Sequence, residues 1–251
     1  MILLTNGDSW TQGDNPAQTI NWEATKNLDW YDIVPSFGDM QYSEAYQPTQ
    51  IYKFYNSPVW PKSLGKRLGV ETWNAGRNGD DNTTITFRTI NSVEWLLSQG
   101  KKDIFVIIGW TSKLRLPAYV HKDDKLKLVQ NRPTYISDYA DKIYKLEKRI
   151  EETFLHNILT LQNYFNLKKI NFLFFNSFDK FDYFDELYLN KLVDKSKWVN
   201  CSLTQSHFKE YIFQKYDLSD WSDSNYFATS HPKDIAHQAW AKYLYNYIQT
   251  L

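Results

Sequence analysis

The stretch "DIFVIIGWTS", residues 103–112, decides the fold. In an extended chain Ile104, Val106 and Ile108 fall on one face, and Phe105 and Ile107 on the other. A strand with one wet face alternates apolar and polar residues, whereas this one is apolar on both. It must therefore be covered on both sides, as in a parallel sheet flanked by its crossover helices. "INFLFF" (170–175) has the same character, and shorter apolar runs occur at Ile2–Leu4 and within "LGVETWN" (68–74). "KWVNCSL" (197–203) is the best candidate for a fifth strand.

Helical spacing fills the gaps between these runs. Ile90, Val93 and Leu97 recur at three and four residues, with Gly100 as a stop. A longer stripe runs through Tyr139, Ile143, Leu146, Ile150, Phe154, Ile158, Leu161 and Phe165. "WPKSLGKRLG" (60–69) reads as a helix leading into a strand. The chain from Pro232 to about Ile248 reads as a last helix with Ile235, Ala239 and Leu244 inward. Strand–helix alternation predicts an α/β fold, a three-layer α/β/α sandwich around a parallel sheet of about five strands.

The 251 residues suit one large α/β domain, 1–251. Residues 11–66 interrupt the pattern as an aromatic-rich insertion, too long for an ordinary connection. Lys plus Arg and Asp plus Glu both number 29, so no broad basic surface for nucleic acid or an anionic membrane is expected. No apolar run reaches the roughly 18 residues of a membrane span, and the N-terminus lacks a signal-peptide pattern. A cytoplasmic or virion-associated protein is the expectation. The one cysteine, Cys201, excludes an intrachain disulfide and is expected to be a small buried hydrophobe. His121, His156 and His207 show no ligand spacing, so neither a metal nor another cofactor is expected.

In an open parallel sheet, ligands bind at the carboxyl ends of the strands. The first strand is followed by Gly7-Asp8-Ser9, the second by "NAGRNGDDN" (74–82), and the third by Gly109-Trp110-Thr111-Ser112. The last helix begins at "SHPKDIAHQAW" (230–240). One sheet edge thus gathers a hydroxyl, flexible backbone donors and an imidazole. Those are the parts of acyl transfer: a nucleophile with a base in reach and preorganised donors for the oxyanion.

These four blocks, in this order, resemble the SGNH (GDSL) hydrolase superfamily, flavodoxin-like α/β/α serine esterases and lipases. The resemblance spans residues 7 to 237. It implies Ser9 as nucleophile and first oxyanion donor, and Gly79, five residues after Asn74, as the second. It implies His231, followed by Pro232, as base, with His237 as the second histidine in the helix that follows. The third block normally carries an oxyanion asparagine, and here Thr111 stands in that place, expected to donate one hydrogen bond at shorter reach. "IGWTSKLR" resembles a variant block of phage and bacterial members. The family aspartate three residues before the histidine is Ala228 here, which leaves Asp223, Asp220 or a backbone carbonyl to orient His231. Trp10, Asn74, Trp110 and Arg115 are expected to line the substrate site, Arg115 either against an anionic or sugar group or in an exposed salt bridge.

The implied activity is hydrolysis of a short acyl ester, such as acetyl on a polysaccharide; the aromatic residues, with 10 Trp and 18 Tyr, suit sugar stacking. Acyl transfer to a sugar uses the same residues. A catalytically degenerate glycan-binding protein is the alternative, motivated by Ala228.

Overall fold

The computed structural model describes residues 1–12, 59–76, 80–113, 115, 117–122, 125–130, 143–178, 187–220, 222–223, 225–228 and 231–251. The expected insertion falls largely outside them, as does Tyr139 of the long helical stripe. Strand β1 (Ile2–Gly7) runs into a single helical turn, α1 (Ser9–Gln12). Helix α2 (Trp60–Leu68) leads to β2 (Glu71–Asn74), α3 (Asn82–Ser98) and β3 (Ile104–Trp110). A hairpin, β4 (Pro117–Lys122) with β5 (Lys125–Gln130), precedes α4 (Ile143–Lys168) and β6 (Asn171–Asn176). Then come three short 3-10 turns, α5 (His207–Tyr216), the two-residue strands β7 (Phe227–Ala228) and β8 (His231–Pro232), and α6 (Asp234–Ile248).

The main sheet is parallel with strand order β2-β1-β3-β6. At the expected fifth position, "KWVNCSL" supplies only a single parallel bridge from Trp198 to Phe174. Asn200 and Cys201 there take positive φ, 56° and 54°, which an extended strand does not allow. Cys201 is exposed, not buried as expected.

Pleating divides the strand residues between two cores. Ile2, Leu4, Val106, Ile108, Phe172 and Phe174 face α3 and α4, where Val93, Phe154, Ile158 and Phe165 meet them. Leu3, Ile107, Leu173 and Phe175 face the other way, against Trp60 and Leu64 of α2, Phe208 and Ile212 of α5, and Trp240 and Leu244 of α6. Helices therefore cover both faces, and the architecture is the three-layer sandwich that two-sided apolar strands require. In α6 the inward residues are Ala236, Ala239, Trp240 and Leu244, whereas Ile235 is 47% exposed. At about 100° per residue Ile235 stands on the side of the helix opposite Leu244, off the buried stripe.

Candidate active site

Ser9 opens α1 directly beyond the end of β1. Gly7 pairs with Gly109 in the adjacent strand, and a Cβ on Gly7 would come within 2.6 Å of the Gly109 carbonyl oxygen. Only glycine lets the two strand ends approach this closely. Asn6 ties the same strand end to α3, its Nδ2 donating to Ile85 O at 3.0 Å and Thr89 Oγ1 at 2.9 Å. Asp8 caps α1: its Oδ1 accepts from Trp10 N at 3.0 Å, and its carbonyl accepts from Thr11 N and Gln12 N.

His231 comes from β8, opposite Ala228 of β7. The Lys233 N–H donates to Tyr226 O at 2.7 Å and closes that short pairing. This places His231 Nε2 at 2.9 Å from Ser9 Oγ, across 222 residues of sequence. Ser9 is buried and His231 half-buried. A hydroxyl and an imidazole at that separation can pass a proton, which is the first requirement of an activated serine.

The other expected site residues divide. Thr111 is beside the loop that carries Ser9, but its hydroxyl donates to Asp8 Oδ2 at 2.6 Å. A hydroxyl has one proton, so in this arrangement Thr111 has none to offer an oxyanion. Its backbone is fixed by Asn82, whose Oδ1 accepts from Thr111 N at 3.0 Å. Asn74 is likewise committed: Nδ2 donates to Thr11 O at 2.7 Å and Oδ1 accepts from Gly76 N at 3.0 Å. Trp10 lies in the core, 2% exposed, among Phe178, Phe208 and Phe227. Trp110 is buried against Phe154 and Phe174. None of these three lines a substrate surface as expected: Asn74 organises a turn, and the two indoles fill apolar layers. Arg115 remains at the site, its Nη1 3.1 Å from Asp8 Oδ2. Gly79 lies outside the described residues.

Asp223, expected to orient His231, is instead held in a turn. Its Oδ1 accepts from Asn225 N at 2.8 Å and its carbonyl accepts from Tyr226 N and Phe227 N, so it shapes the turn into β7. It makes no hydrogen bond to His231. Asp220 is similarly a turn former, accepting from Ser222 N at 2.7 Å.

Two buried imidazoles stand behind the site. His237 Nδ1 accepts from Trp60 N at 3.3 Å, joining α6 to α2. Burial first, and then the nearby His231, push its pKa down to about 3, against a smaller opposing backbone contact with Pro232. His207 Nδ1 accepts from Asn176 N at 3.3 Å, and burial pushes its pKa down to about 4. Both are neutral acceptors that fix backbone. Sequence reasoning missed Asn82 and the pair of half-buried Lys113 with buried Glu151, at 2.7 Å, which together hold the loop after β3. The only hint was their position just after a strand end or on a helix stripe. Among the described residues, no three His, Cys, Asp or Glu side chains gather as a metal site would need, and no helix is long and apolar enough to cross a membrane.

No family model and no curated relative matches the chain. Solved structures similar to it include a proposed GDSL-like lipase from Parabacteroides merdae, 11% identical, covering 100% of this chain and 96% of that one at a TM-score of 0.46. An alpha/beta hydrolase enzyme from the metagenome of Lake Arreo is 11% identical, with 99% and 94% covered and a TM-score of 0.44. A proposed lipolytic protein of the G-D-S-L family from Desulfitobacterium hafniense is 10% identical, with 98% of each chain covered and a TM-score of 0.40.

Proposed function

We propose that this chain is a serine hydrolase of the SGNH type, acting on short acyl esters. The observation that carries this reading is the 2.9 Å approach of His231 Nε2 to Ser9 Oγ at the carboxyl edge of a parallel sheet. Ser9 Oγ attacks the ester carbonyl while His231 takes its proton. The tetrahedral oxyanion is held by the Ser9 N–H, which has no acceptor among the described residues, and by the N–H of Gly79. Collapse expels the alcohol, protonated by His231. Water, deprotonated by the same imidazole, then attacks the acyl-enzyme and releases the acid.

An acetyl group on a polysaccharide is the proposed substrate, and an acyl acceptor sugar in place of water would turn the same residues into a transferase. The Ala228 position favours one other reading, a glycan-binding protein that has lost turnover, because the position three residues before His231 carries no carboxylate. A fluorophosphonate serine probe separates the two. The esterase reading expects the wild type to be labelled and to hydrolyse 4-nitrophenyl acetate, and Ser9→Ala to do neither. An unlabelled, folded wild type leaves the binding reading.

A further inference from the structure

Arg115 reaches more of the site than any expectation assigned to it. Its guanidinium Nη1 lies 3.1 Å from Asp8 Oδ2 in the loop after β1 and 3.5 Å from Asp80 O beyond β2. Its Cζ lies 5.5 Å from the centre of the Phe178 ring, two residues past β6, and Arg115 itself lies beyond β3. One cationic group thus joins the segments beyond the carboxyl ends of all four strands of the main sheet. Phe178 in turn meets Trp10 edge-on, with centroids 4.7 Å apart, so the contact returns to α1.

The charges say what this group is for. Asp80 is already paired with Arg88. Asp8 is 0% exposed and pairs with Arg115. A substrate anion would have to compete with a buried carboxylate for the same guanidinium. Asp8 also accepts the Thr111 hydroxyl on that oxygen, and it caps the turn that begins with Ser9. Taking one partner from a buried ion pair leaves an uncompensated charge, which the surrounding loops relieve by moving.

Resting on the serine hydrolase reading, we infer that Arg115 is a positioning residue for the nucleophile. It holds the Asp8 carboxylate between Thr111 and α1, and through Asp8 it sets where Ser9 Oγ stands relative to His231 Nε2. Arg115 touches no reacting atom in this role. Its effect therefore falls on kcat and not on substrate affinity, since a misplacement of about 1 Å costs roughly 10²-fold in rate.

The test is a double-mutant cycle of Arg115→Met and Asp8→Asn, with Arg115→Lys as the conservative variant, read by 4-nitrophenyl acetate kinetics and by urea unfolding. Arg115→Met is expected to lower kcat about 10- to 100-fold with KM within about twofold, and Arg115→Lys to recover part of the loss. The double variant is expected to be little worse than either single one, in kcat and in unfolding midpoint, because the two side chains act as a pair. A several-fold rise in KM at unchanged kcat, or additive effects, would overturn the inference and make Arg115 a substrate contact or a bystander. If the wild type neither hydrolyses the ester nor takes the probe, the hydrolase reading fails by itself. The unfolding cycle then still decides whether Arg115 and Asp8 are coupled, and additivity there sinks the pairing.

Discussion

Ser9 and His231 are two side chains whose roles depend on each other. Ser9→Ala and His231→Ala should each reduce turnover of 4-nitrophenyl acetate by about 10⁴ or more, and the double variant should be little worse, since a nucleophile and its base act as a unit. Residual activity within tenfold of wild type in either variant counts against the pair. Thr111 has a different job from the one its place in the third block suggested. Its hydroxyl binds the buried Asp8 carboxylate, so Thr111→Val should destabilise the fold by about 1–3 kcal/mol in urea titrations, while Thr111→Ser should keep most of the stability. Equal stability of the valine variant would mean that the contact contributes nothing.

The paired strands β7 and β8 decide what can orient His231. Ala228 pairs with His231 across this two-residue ladder. Ala228→Asp therefore adds a carboxylate at the backbone position paired with His231. It should raise kcat near neutral pH, by fixing the tautomer and stabilising the imidazolium. Asp223→Asn should leave kcat nearly unchanged, because Asp223 is a turn residue bonded to Asn225. The comparison is a pair of pH–rate profiles. A damaging Asp223→Asn combined with a flat Ala228→Asp reverses the assignment.

Across the whole molecule, His237 couples the helical layer behind the site to pH. Its folded pKa is about 3, below the roughly 6.5 of an unfolded histidine. Between those values the unfolded chain binds the extra proton, so stability is complete above about pH 6.5 and falls as pH drops towards 3. His207, pushed down to about 4 by burial, adds to the same trend. His237→Asn keeps an acceptor for the Trp60 N–H but cannot titrate. Its Tm should decline less than that of wild type between pH 7 and pH 4, as measured by calorimetry. Parallel Tm curves for the two proteins would show that the His237 imidazole does not carry the dependence.

The layered fold was legible because burial on two faces leaves its mark locally: "DIFVIIGW" and "INFLFF" are apolar on both sides whatever the rest of the chain does. Ser9 and His231 were legible for a related reason, since a strand end or a helix start is a local feature, and the 2.9 Å contact then arises from the sheet edge they share. The partners of the remaining polar groups were not legible. Thr111 finds Asp8 across 103 residues, Asp223 turns to Asn225 instead of His231, and Trp10 and Trp110 disappear into opposite apolar layers. A hydrogen bond is decided within a few tenths of an ångström. Residue type and spacing determine which side chains arrive at the sheet edge. Only the packed tertiary structure, which pairs most buried donors and acceptors, decides which of them meet.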